Sequence, residues 1–284
     1  MEIKNLNNID LEILLNTFNY SFSDYIVPFH LSMEQLKFKI ISDKIDFNLS
    51  VGIFEENQLC GFILHGKQLI DGKNVIYNGG TGIIPKKRGL GLVDKMYQFI
   101  LPKLAEIQCD HLVLEVITQN TSAIKAYQKF NYAITRKLLC FRGNINVISK
   151  TSNVSIKEIN SPDWDLFRTF WDFKPTWQNS DFALQQIQEH CHFIGAYIDE
   201  QLVGYVIYGK SSNKIHQFAV HENFRRKGIG AKLFNAVSEN IANTIAILNI
   251  DDMALGTISF LKKMGFDVSV EQYEMWKKLE QYAV

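Results

Sequence analysis

The chain has 284 residues, of which 46% are hydrophobic and 21% charged, and its 30 basic side chains are matched by 30 acidic ones. This composition is typical of a globular protein and excludes a disordered one. A formal net charge of zero excludes a broad basic surface for nucleic acid. The length predicts about two domains of ordinary size.

The cysteine and N-terminal patterns indicate a reducing compartment. Four cysteines are scattered without a Cys-x-x-Cys pair, as expected of buried thiols: Cys60, Cys109, Cys140 and Cys191. The His190-Cys191-His192 triplet predicts no metal site, because successive residues of a strand point to opposite faces, which separates Cys191 from the two histidines. The chain begins without a signal-peptide pattern and has no apolar run of about 18 residues. We therefore expect a cytoplasmic protein with no metal and no membrane partner.

In chain order, hydrophobic periodicity and turn signals predict a mixed first half. Residues 20–30 are too apolar for a solvated loop. They predict either core packing, favoured for Phe22 and Ile26, or a pocket wall that carries Asp24, Tyr25 and His30. The predicted elements are strands near residue 3 and over 50–54, 59–69, 74–84, 111–117 and 135–142, and helices over 11–18, 33–41, 92–107 and 120–131.

Residues 77–104 join a strand, a basic glycine loop and a helix. Glycines in the strand indicate a bulge or a close backbone approach: Gly79, Gly80 and Gly82. Lys86-Lys87-Arg88, Gly89 and Gly91 follow, and then a helix with one apolar face begins. The free N–H groups and the positive dipole end of that helix predict a phosphate site.

The loop fits neither a Walker A motif nor a dinucleotide-binding fingerprint. It resembles the Arg/Gln-x-x-Gly-x-Gly/Ala loop of the GNAT superfamily of acyl-CoA-dependent N-acetyltransferases. Arg88 and Gly91 match that pattern, whereas Val93 stands where the family prefers Gly or Ala. Taken alone, the loop is equally compatible with an ordinary turn and helix cap. A second copy supports the resemblance, since residues 218–234 repeat the arrangement and match the pattern fully, with Arg225, Gly228 and Gly230.

The repeat predicts two domains, residues 1–147 and 148–284, joined by a polar linker at 143–153. Each is expected to be an α/β (α+β) domain of the GNAT type, with a mixed, mostly antiparallel sheet, flanking helices and a splayed central strand pair. The second half predicts strands over 154–159, 193–198, 202–208, 214–220, 244–250 and 267–277, and helices over 163–171, 182–189, 229–241 and 255–264.

The resemblance implies acetyl-CoA as a cosubstrate, with its pyrophosphate on the loop amides and its pantetheine arm beside the bulged strand. In the first domain the implied binding positions are Gly82, Ile83, Ile84, Arg88, Gly89, Leu90, Gly91, Leu92, Val93 and Asn120. In the second domain they are Phe218, Ala219, Val220, Arg225, Arg226, Lys227, Gly228, Ile229 and Gly230.

Two residues of the first domain are candidates for the chemistry. Asn120, Ala123 and Tyr127 match the family's Asn-x-x-Ala-x-x-x-Tyr helix, in which the tyrosine hydroxyl faces the departing sulfur. Because a phenol with a pKa of about 10 is a weaker acid than a thiol of about 8.5, a hydrogen bond to the thiolate is as plausible as proton donation. A tyrosine that only packs in the core is the alternative. Glu115, in an apolar strand, is either a base with a raised pKa or a buried structural acceptor.

The second domain lacks these groups. Leu261 replaces the tyrosine, and Ala254 and Thr257 replace the asparagine and alanine. We therefore expect the chemistry in the first domain. The second domain then binds a coenzyme weakly or shapes the acceptor site through its tryptophans: Trp164, Trp171 and Trp177.

These observations predict an N-acetyltransferase that moves an acetyl group to a primary amine of a small molecule or peptide by direct attack. We expect a monomer or homodimer without a nucleic-acid partner. Two alternatives stay open. A non-catalytic acyl-CoA sensor predicts binding without turnover, and a nucleic-acid protein that uses the basic clusters at 86–88 and 225–227 predicts strongly salt-dependent binding.

Overall fold

The chain forms two compact units. The structure is a computed structural model that describes residues 1–27, 29–147, 153–241 and 243–279. Unit 1 comprises Met1–Thr135 and the chain end from Tyr273, and unit 2 comprises Arg136–Gln272. Among the described residues, no helix is both long and apolar enough to cross a membrane.

The bounds of the two units differ from those of the sequence repeat at the last strand of each half. The repeat predicts domains 1–147 and 148–284, whereas residues 136–143 belong to unit 2 and the chain end belongs to unit 1. The alternation of apolar and polar residues in a strand is the same whichever strand lies beside it, so the pattern alone does not name the partner. Of the predicted linker at 143–153, residues 148–152 lie outside the described part of the chain.

Unit 1 contains five strands and four helices of the first half. In chain order these are β1 (Glu2–Asn5), α1 (Leu11–Ser21), α2 (Met33–Ser42), β2 (Val51–Glu55), β3 (Gln58–Ile70), β4 (Lys73–Ile83), α3 (Leu92–Glu106), β5 (His111–Ile117) and α4 (Thr121–Lys129). The strands follow one another across the sheet in the order β1-β2-β3-β4-β5. The end of the last strand of the chain lies next to β5 and completes the sheet of unit 1.

Unit 2 repeats this plan. Its elements are β6 (Ala133–Gly143), β7 (Ser155–Glu158), α5 (Trp164–Arg168), α6 (Asp181–Gln186), β8 (Cys191–Ile198), β9 (Gln201–Gly209), β10 (Lys214–Val220), α7 (Ile229–Ser238), β11 (Ile245–Asp251), α8 (Leu255–Lys263) and β12 (Phe266–Lys278). Within this unit the strands follow the order β12-β6-β11-β10-β9-β8-β7. The helices α6 and α7 end before the predicted residues 189 and 241.

In each unit a parallel strand pair separates after a few residues. β4 pairs with β5 only through Val75–Tyr77, and β10 pairs with β11 only through Lys214 and Ile215. Most other neighbours in the two sheets are antiparallel. The predicted fold class, with a splayed central pair in each repeat, is confirmed.

Local sequence signals explain several element ends. Asp71 and Gly72 have left-handed φ angles of 51° and 76°, which is the hairpin turn expected of an Asp-Gly pair between β3 and β4. Ser32 and Gln35 form a capping box at the start of α2. Asn131 ends α4 with a φ of 62°, as its tolerance of the left-handed region predicts.

The core of unit 1 lies on both faces of its sheet. Ile76, Tyr97 and Leu112 belong to the cluster on the α3 side, and Phe18 and Phe62 belong to the cluster under α1 and α2. The four cysteines are buried and free, as the sequence predicts. Met275, near the chain end, is fully buried in the α3-side cluster.

Met275→Ala is expected to destabilise unit 1, because it removes a fully buried side chain from that cluster. The unfolding free energy, measured by urea denaturation, should fall by about 2–5 kcal/mol. Hydrogen exchange should show lost protection in α3 and β5. Lys278→Ala, at an exposed position of β12, is the control and should change stability by less than about 0.5 kcal/mol. Protection lost in α7 and β11 instead would contradict the assignment of the chain end to unit 1.

Candidate active site

The start of α3 forms the first part of the site. The chain leaves a short turn through Gly89 and Gly91, whose φ angles of 76° and 66° are left-handed. An added Cβ would meet nothing within 4 Å at either position, so the backbone angle rather than space favours glycine. Gly91 is the N-cap, and no side chain caps the helix there. The first-turn N–H groups are therefore available to an anion.

Arg88 fastens this loop to the end of α1. Its Nη1 and Nη2 each donate to the Asp24 carboxylate over 2.7 Å, and Nη2 also donates to the Ser21 carbonyl over 2.9 Å. Its Nε donates to the Ile83 carbonyl over 3.3 Å. We call these contacts the arginine clamp, and they lower the pKa of Asp24. The guanidinium thus positions the loop, and a contact of Arg88 with a coenzyme stays a prediction.

Unit 2 has the same loop geometry at the start of α7. Gly228 is the N-cap with a φ of 84°, and no side chain caps the helix there. Arg226, at the position of Gly89, is also left-handed, with a φ of 63°. The backbone of the two loops is therefore the same although one glycine is replaced.

Unit 2 also has the clamp. Arg225 donates to the Val220 carbonyl over 2.8 Å and to the Phe170 carbonyl over 3.1 Å, and it pairs with the Asp172 carboxylate at 2.5 Å. These partners correspond to the strand end, helix end and carboxylate of unit 1. The motif arginine has one structural role in both units.

The glycine-containing end of β4 is bulged, as predicted. Leu64 lies opposite Gly80 and His65 opposite Asn78, so Gly79 is the extra residue. The Asn78 side chain supports the bulge, since its Oδ1 accepts from the Gly80 amide over 3.0 Å.

Gly82 allows a close approach on the same strand. A Cβ at this position would lie 2.6 Å from the Phe62 ring. No side chain fits there without moving that ring.

The apolar stretch at residues 20–30 contributes to this region only in part. Phe22 packs against the core under α1 and α2. The expectation that Ile26 also packs in the core is wrong, because its side chain is 45% exposed. The Tyr25 hydroxyl accepts a hydrogen bond from Asn120 Nδ2 over 3.3 Å. The contact of Tyr25 with Asn120 is compatible with the pocket-wall alternative for this residue.

Tyr127 is buried on α4, whose start is fixed by Asn120. The Asn120 Oδ1 accepts from the Ala123 amide over 3.2 Å. Burial raises the pKa of the Tyr127 phenol, and hydrogen bonds with Thr81 and Asn78 oppose that rise. The hydroxyl therefore lies beside the bulged strand in its protonated form.

Glu115 is the ionisable group of β5. Its Oε2 accepts a hydrogen bond from the Tyr77 hydroxyl over 2.6 Å. Its Oε1 is buried without a hydrogen-bond partner in the described part of the chain. Burial raises the pKa of Glu115 to about 7, the negative charges of Glu274 and Asp43 add to the rise, and the Tyr77 hydrogen bond opposes it.

Strand alternation gives the direction of this carboxyl. Leu114 and Val116 belong to the core on the α3 side, so Glu115 lies on the opposite face of the sheet, the face that α1 and α2 cover. Asp43, at the end of α2, pairs with Lys39 on that face. This region therefore concentrates carboxylates beside the open part of the β4–β5 pair.

Unit 2 lacks both candidate catalytic groups. The left-handed residue that follows α4 is Asn131, and the one that follows α8 is Gly265. Counted back from these residues, Leu261 stands at the position of Tyr127 and Asn249 at that of Glu115. Leu261 is fully buried. Ala254 is the N-cap of α8 and makes no side-chain cap, and the Thr257 hydroxyl donates to Asp172 over 3.0 Å.

Unit 2 does contain a large cleft, of about 930 Å³. Among its lining residues are Trp171, Asn179, His216, Phe218, Ile229 and Phe260. Trp171 donates from Nε1 to the Tyr205 hydroxyl over 2.7 Å. Of the other predicted tryptophans, Trp177 is buried in the core and Trp164 packs against the Phe167 ring.

Sequence reasoning missed the polar network behind the bulge. Asn78 Nδ2 donates to the Thr81 hydroxyl over 2.9 Å and to the Tyr97 hydroxyl over 3.1 Å. The available signal was an asparagine placed directly before glycines in an apolar strand. The described residues contain no group of three or more His, Cys, Asp or Glu side chains that could hold a metal ion.

Glu115→Gln is expected to stabilise the protein at alkaline pH. The pKa of Glu115 is about 7 in the folded protein, against 4.5 ordinarily. The folded state therefore holds the proton more tightly, and stability is lost as pH rises from about 4.5 to about 7. Relative to wild type, the variant should gain on the order of 3 kcal/mol between pH 4 and pH 8 in urea denaturation. Glu106→Gln, at an exposed position, should show no such gain, and a pH-independent difference for Glu115→Gln would contradict the raised pKa.

Comparison with known proteins agrees with this geometry. Residues 14–132 match the model of the acetyltransferase (GNAT) family, and residues 169–277 match an acetyltransferase (GNAT) domain. The spermine/spermidine N(1)-acetyltransferase of Bacillus subtilis (strain 168) is 29% identical over 126 residues, which cover 40% of this chain and 82% of that protein.

Solved structures share the fold over nearly the whole chain. A GCN5-related N-acetyltransferase from Sphaerobacter thermophilus has a TM-score of 0.74 at 11% identity and covers 98% of this chain and 95% of its own. A tandem GNAT protein from the clavulanic acid biosynthesis pathway has a TM-score of 0.72 at 11% identity and covers 98% of both chains. The chain belongs to the GNAT family of acetyltransferases and carries two GNAT domains in tandem.

Proposed function

We propose that unit 1 is an N-acetyltransferase that moves an acetyl group from acetyl-CoA to a primary amine, which attacks the acetyl carbonyl directly. One observation carries the proposal: at its splayed strand pair unit 1 holds both a carboxyl with a pKa of about 7, Glu115, and a buried tyrosine hydroxyl, Tyr127. Unit 2 has Asn249 and Leu261 at those positions.

The residues of unit 1 fit the donor. Because no side chain caps α3 at Gly91, the amides of residues 89–93 would hold the pyrophosphate. Because β4 leaves β5 after Tyr77, residues 82–84 would pair with the pantetheine arm, and Asn120 would be a further contact. When bound, acetyl-CoA supplies a thioester whose carbonyl carbon is the electrophile.

Glu115 would take the proton from the acceptor amine. An alkylammonium has a pKa of about 10.4, so transfer to an ordinary carboxylate is strongly unfavourable. The pKa of about 7 at Glu115 makes that transfer easier by on the order of 3 kcal/mol. The Tyr77 hydroxyl, which already donates to Oε2, leaves Oε1 to receive the proton.

The charges around Glu115 favour a cationic acceptor. Asp43 and Glu274 both raise its pKa through their negative charge, and Lys39 offsets them in part. An alkylammonium group entering this region would gain from each carboxylate. The Bacillus subtilis relative is named for spermine and spermidine, and we extend that class, aliphatic polyamines, to this chain as the first acceptors to test.

Tyr127 would stabilise the leaving thiolate by a hydrogen bond. Burial raises the pKa of its phenol, which makes it a weaker acid and widens the gap to a thiol of about 8.5. Full proton transfer is thus less favourable than a hydrogen bond that shortens as charge develops on sulfur. Of the two roles that the sequence leaves open for this hydroxyl, we favour the hydrogen bond.

The test is free-thiol release from acetyl-CoA with a panel of primary amines that includes spermidine. Tyr127→Phe keeps the ring and removes the hydroxyl, so turnover should fall by roughly 10²-fold or more. Tyr132→Phe is the matched control, since its ring centroid lies 5.7 Å from that of Tyr127 in the same cluster. This variant removes a buried contact with the Tyr97 hydroxyl, so some stability should be lost, but turnover at an equal folded fraction should be kept.

Two results would contradict the proposal. Full activity in Tyr127→Phe would remove the tyrosine from the mechanism. Stoichiometric binding of acetyl-CoA with no thiol release for any amine would identify the non-catalytic sensor instead.

The pH profile tests Glu115 separately. We expect kcat/KM to fall as pH drops below about 7, because the carboxyl must be ionised to accept a proton and its pKa is about 7. Glu115→Gln should lower kcat/KM at pH 8 by roughly 10²-fold and remove the acid limb. Glu106→Gln should keep both the rate and the limb. An acid limb that persists unchanged in Glu115→Gln would assign it to another group.

A further inference from the structure

Four polar side chains lie behind Tyr127 on the α3 side of the sheet. Asn78 Nδ2 donates to the Thr81 hydroxyl over 2.9 Å and to the Tyr97 hydroxyl over 3.1 Å. The Tyr97 hydroxyl lies 3.3 Å from that of Tyr132. Thr81 and Asn78 in turn form hydrogen bonds with the Tyr127 phenol. We call Asn78, Thr81, Tyr97 and Tyr132 the Asn78 network. The chemistry proposed for unit 1 uses none of the four.

Most of the Asn78 network is buried and uncharged. Asn78 is 6% exposed, Tyr132 is 3% exposed and Tyr97 is fully buried. Burial raises the pKa of Tyr97 and of Tyr132, so both phenols stay protonated near neutral pH. Polar groups in such a place are costly unless each finds a partner, whereas apolar side chains of the same size fill the space without that condition. Packing alone therefore gives no reason for polar residues here.

Unit 2 shows that the fold does not require this network. Positions can be matched by counting from the motif arginine, or from the left-handed residue after α4 and α8. At each matched position unit 2 has an apolar residue. For Asn78, Thr81, Tyr97, Tyr127 and Tyr132 these are Ile215, Phe218, Phe234, Leu261 and Phe266. The Phe234 ring packs against those of Phe218 and Phe266. The network thus occurs together with Tyr127 and is lost together with it.

The hydrogen bonds of Asn78 determine which way its amide points. The Gly80 amide donates to Oδ1 over 3.0 Å, so Nδ2 lies on the side of the hydroxyls. The two hydrogens of Nδ2 are used on Thr81 and Tyr97. Thr81 Oγ1 therefore accepts from Asn78 and has its own hydrogen to donate. Its possible acceptors are the Tyr127 oxygen and Asn78 Oδ1, at 3.2 Å.

A hydrogen bond from Thr81 would determine the direction of the Tyr127 hydrogen. A phenol has one hydrogen, and its oxygen can accept at the same time. When Thr81 donates to that oxygen, the Tyr127 hydrogen is directed to a group outside the network. The accepted hydrogen bond also polarises the Tyr127 O–H and makes it a stronger donor.

We propose that Thr81 is a positioning residue for acyl transfer in unit 1. Held by Asn78, its hydroxyl donates to the Tyr127 oxygen and turns the Tyr127 hydrogen toward the departing sulfur of the thioester. This inference rests on the function proposed for Tyr127 and adds the side chains that give that hydroxyl its direction. Thr81 does not touch the reacting atoms, so its whole effect passes through Tyr127.

The experiment measures thiol release from acetyl-CoA by the full chain, with spermidine as the first amine. Thr81→Val replaces the hydroxyl by a methyl group of similar size and keeps a residue that suits a strand. It should lower kcat by about tenfold, as expected for the loss of one hydrogen bond. The KM for acetyl-CoA should stay within about twofold, because the contact acts in the transition state. Thr81→Ser restores the hydroxyl and should recover most of the rate.

A second background separates positioning from support of the strand. In Tyr127→Phe, Thr81→Val should cause no further loss of kcat, because the hydroxyl on which it acts is gone. Thr17→Val is the matched control. Thr17 is 8% exposed, and its hydroxyl donates to the Ile13 carbonyl within α1 over 2.9 Å. This control should keep kcat at an equal folded fraction.

The results for this inference and for the proposed function differ. Full kcat in Thr81→Val, with Tyr127→Phe impaired, overturns this inference alone. An equal loss of kcat from Thr81→Val in both backgrounds does the same, since Thr81 would then act on β4 rather than on Tyr127. Full kcat in Tyr127→Phe, or no thiol release by the wild-type chain with any amine, overturns both.

Discussion

The arginine clamp is the constraint on which both candidate sites depend. In unit 1, Arg88 ties the loop between β4 and α3 to the end of β4 and the end of α1, through two carbonyls and the Asp24 carboxylate. An exposed ion pair contributes little to stability. Its importance is geometric, because it fixes the loop whose left-handed Gly91 begins an uncapped helix. Arg225 does the same in unit 2, so the direction of the free amides is set in the same way twice.

Given the same scaffold, a few side chains distinguish the two units. The bulge position is Gly79 in unit 1, where an added Cβ would lie 3.2 Å from the Asp43 carboxylate. The same position is His216 in unit 2, with a neutral imidazole. Unit 1 therefore has no room for a side chain at this position and keeps the Asp43 carboxylate beside it, whereas unit 2 fills the position with an uncharged donor and acceptor. The first arrangement suits an ammonium group, whereas the second offers no negative charge at that position.

Local signals predicted most of the fold and the loop, because helix periodicity, the Asp71-Gly72 turn and the left-handed Asn131 act over a few residues. Local signals also predicted the bulge in β4, from its glycines, and the replacement of the candidate catalytic tyrosine by Leu261. The sequence repeat placed the chain end with the second domain, because Met275 fits the alternation of any buried strand and does not name its neighbours. The sequence also did not predict the partners of Arg88 or the contact of Asn78 with Tyr97. Those depend on contacts between residues far apart in the chain.

The carboxylates around Glu115 make its ionised form unfavourable, and a cationic acceptor bound there would offset that cost. Burial with Asp43 and Glu274 nearby raises its pKa to about 7, so near neutrality a large share of molecules carry the proton already. An ammonium ion close to Glu115 would favour the ionised carboxylate before transfer, and this attraction would offset part of the gain that the raised pKa gives to the transfer. The acceptor proposed here would thereby prepare its own base. After proton transfer both groups are neutral, which suits the buried Oε1 and brings the uncharged amine to the splayed strands, where attack on an acyl carbonyl needs it.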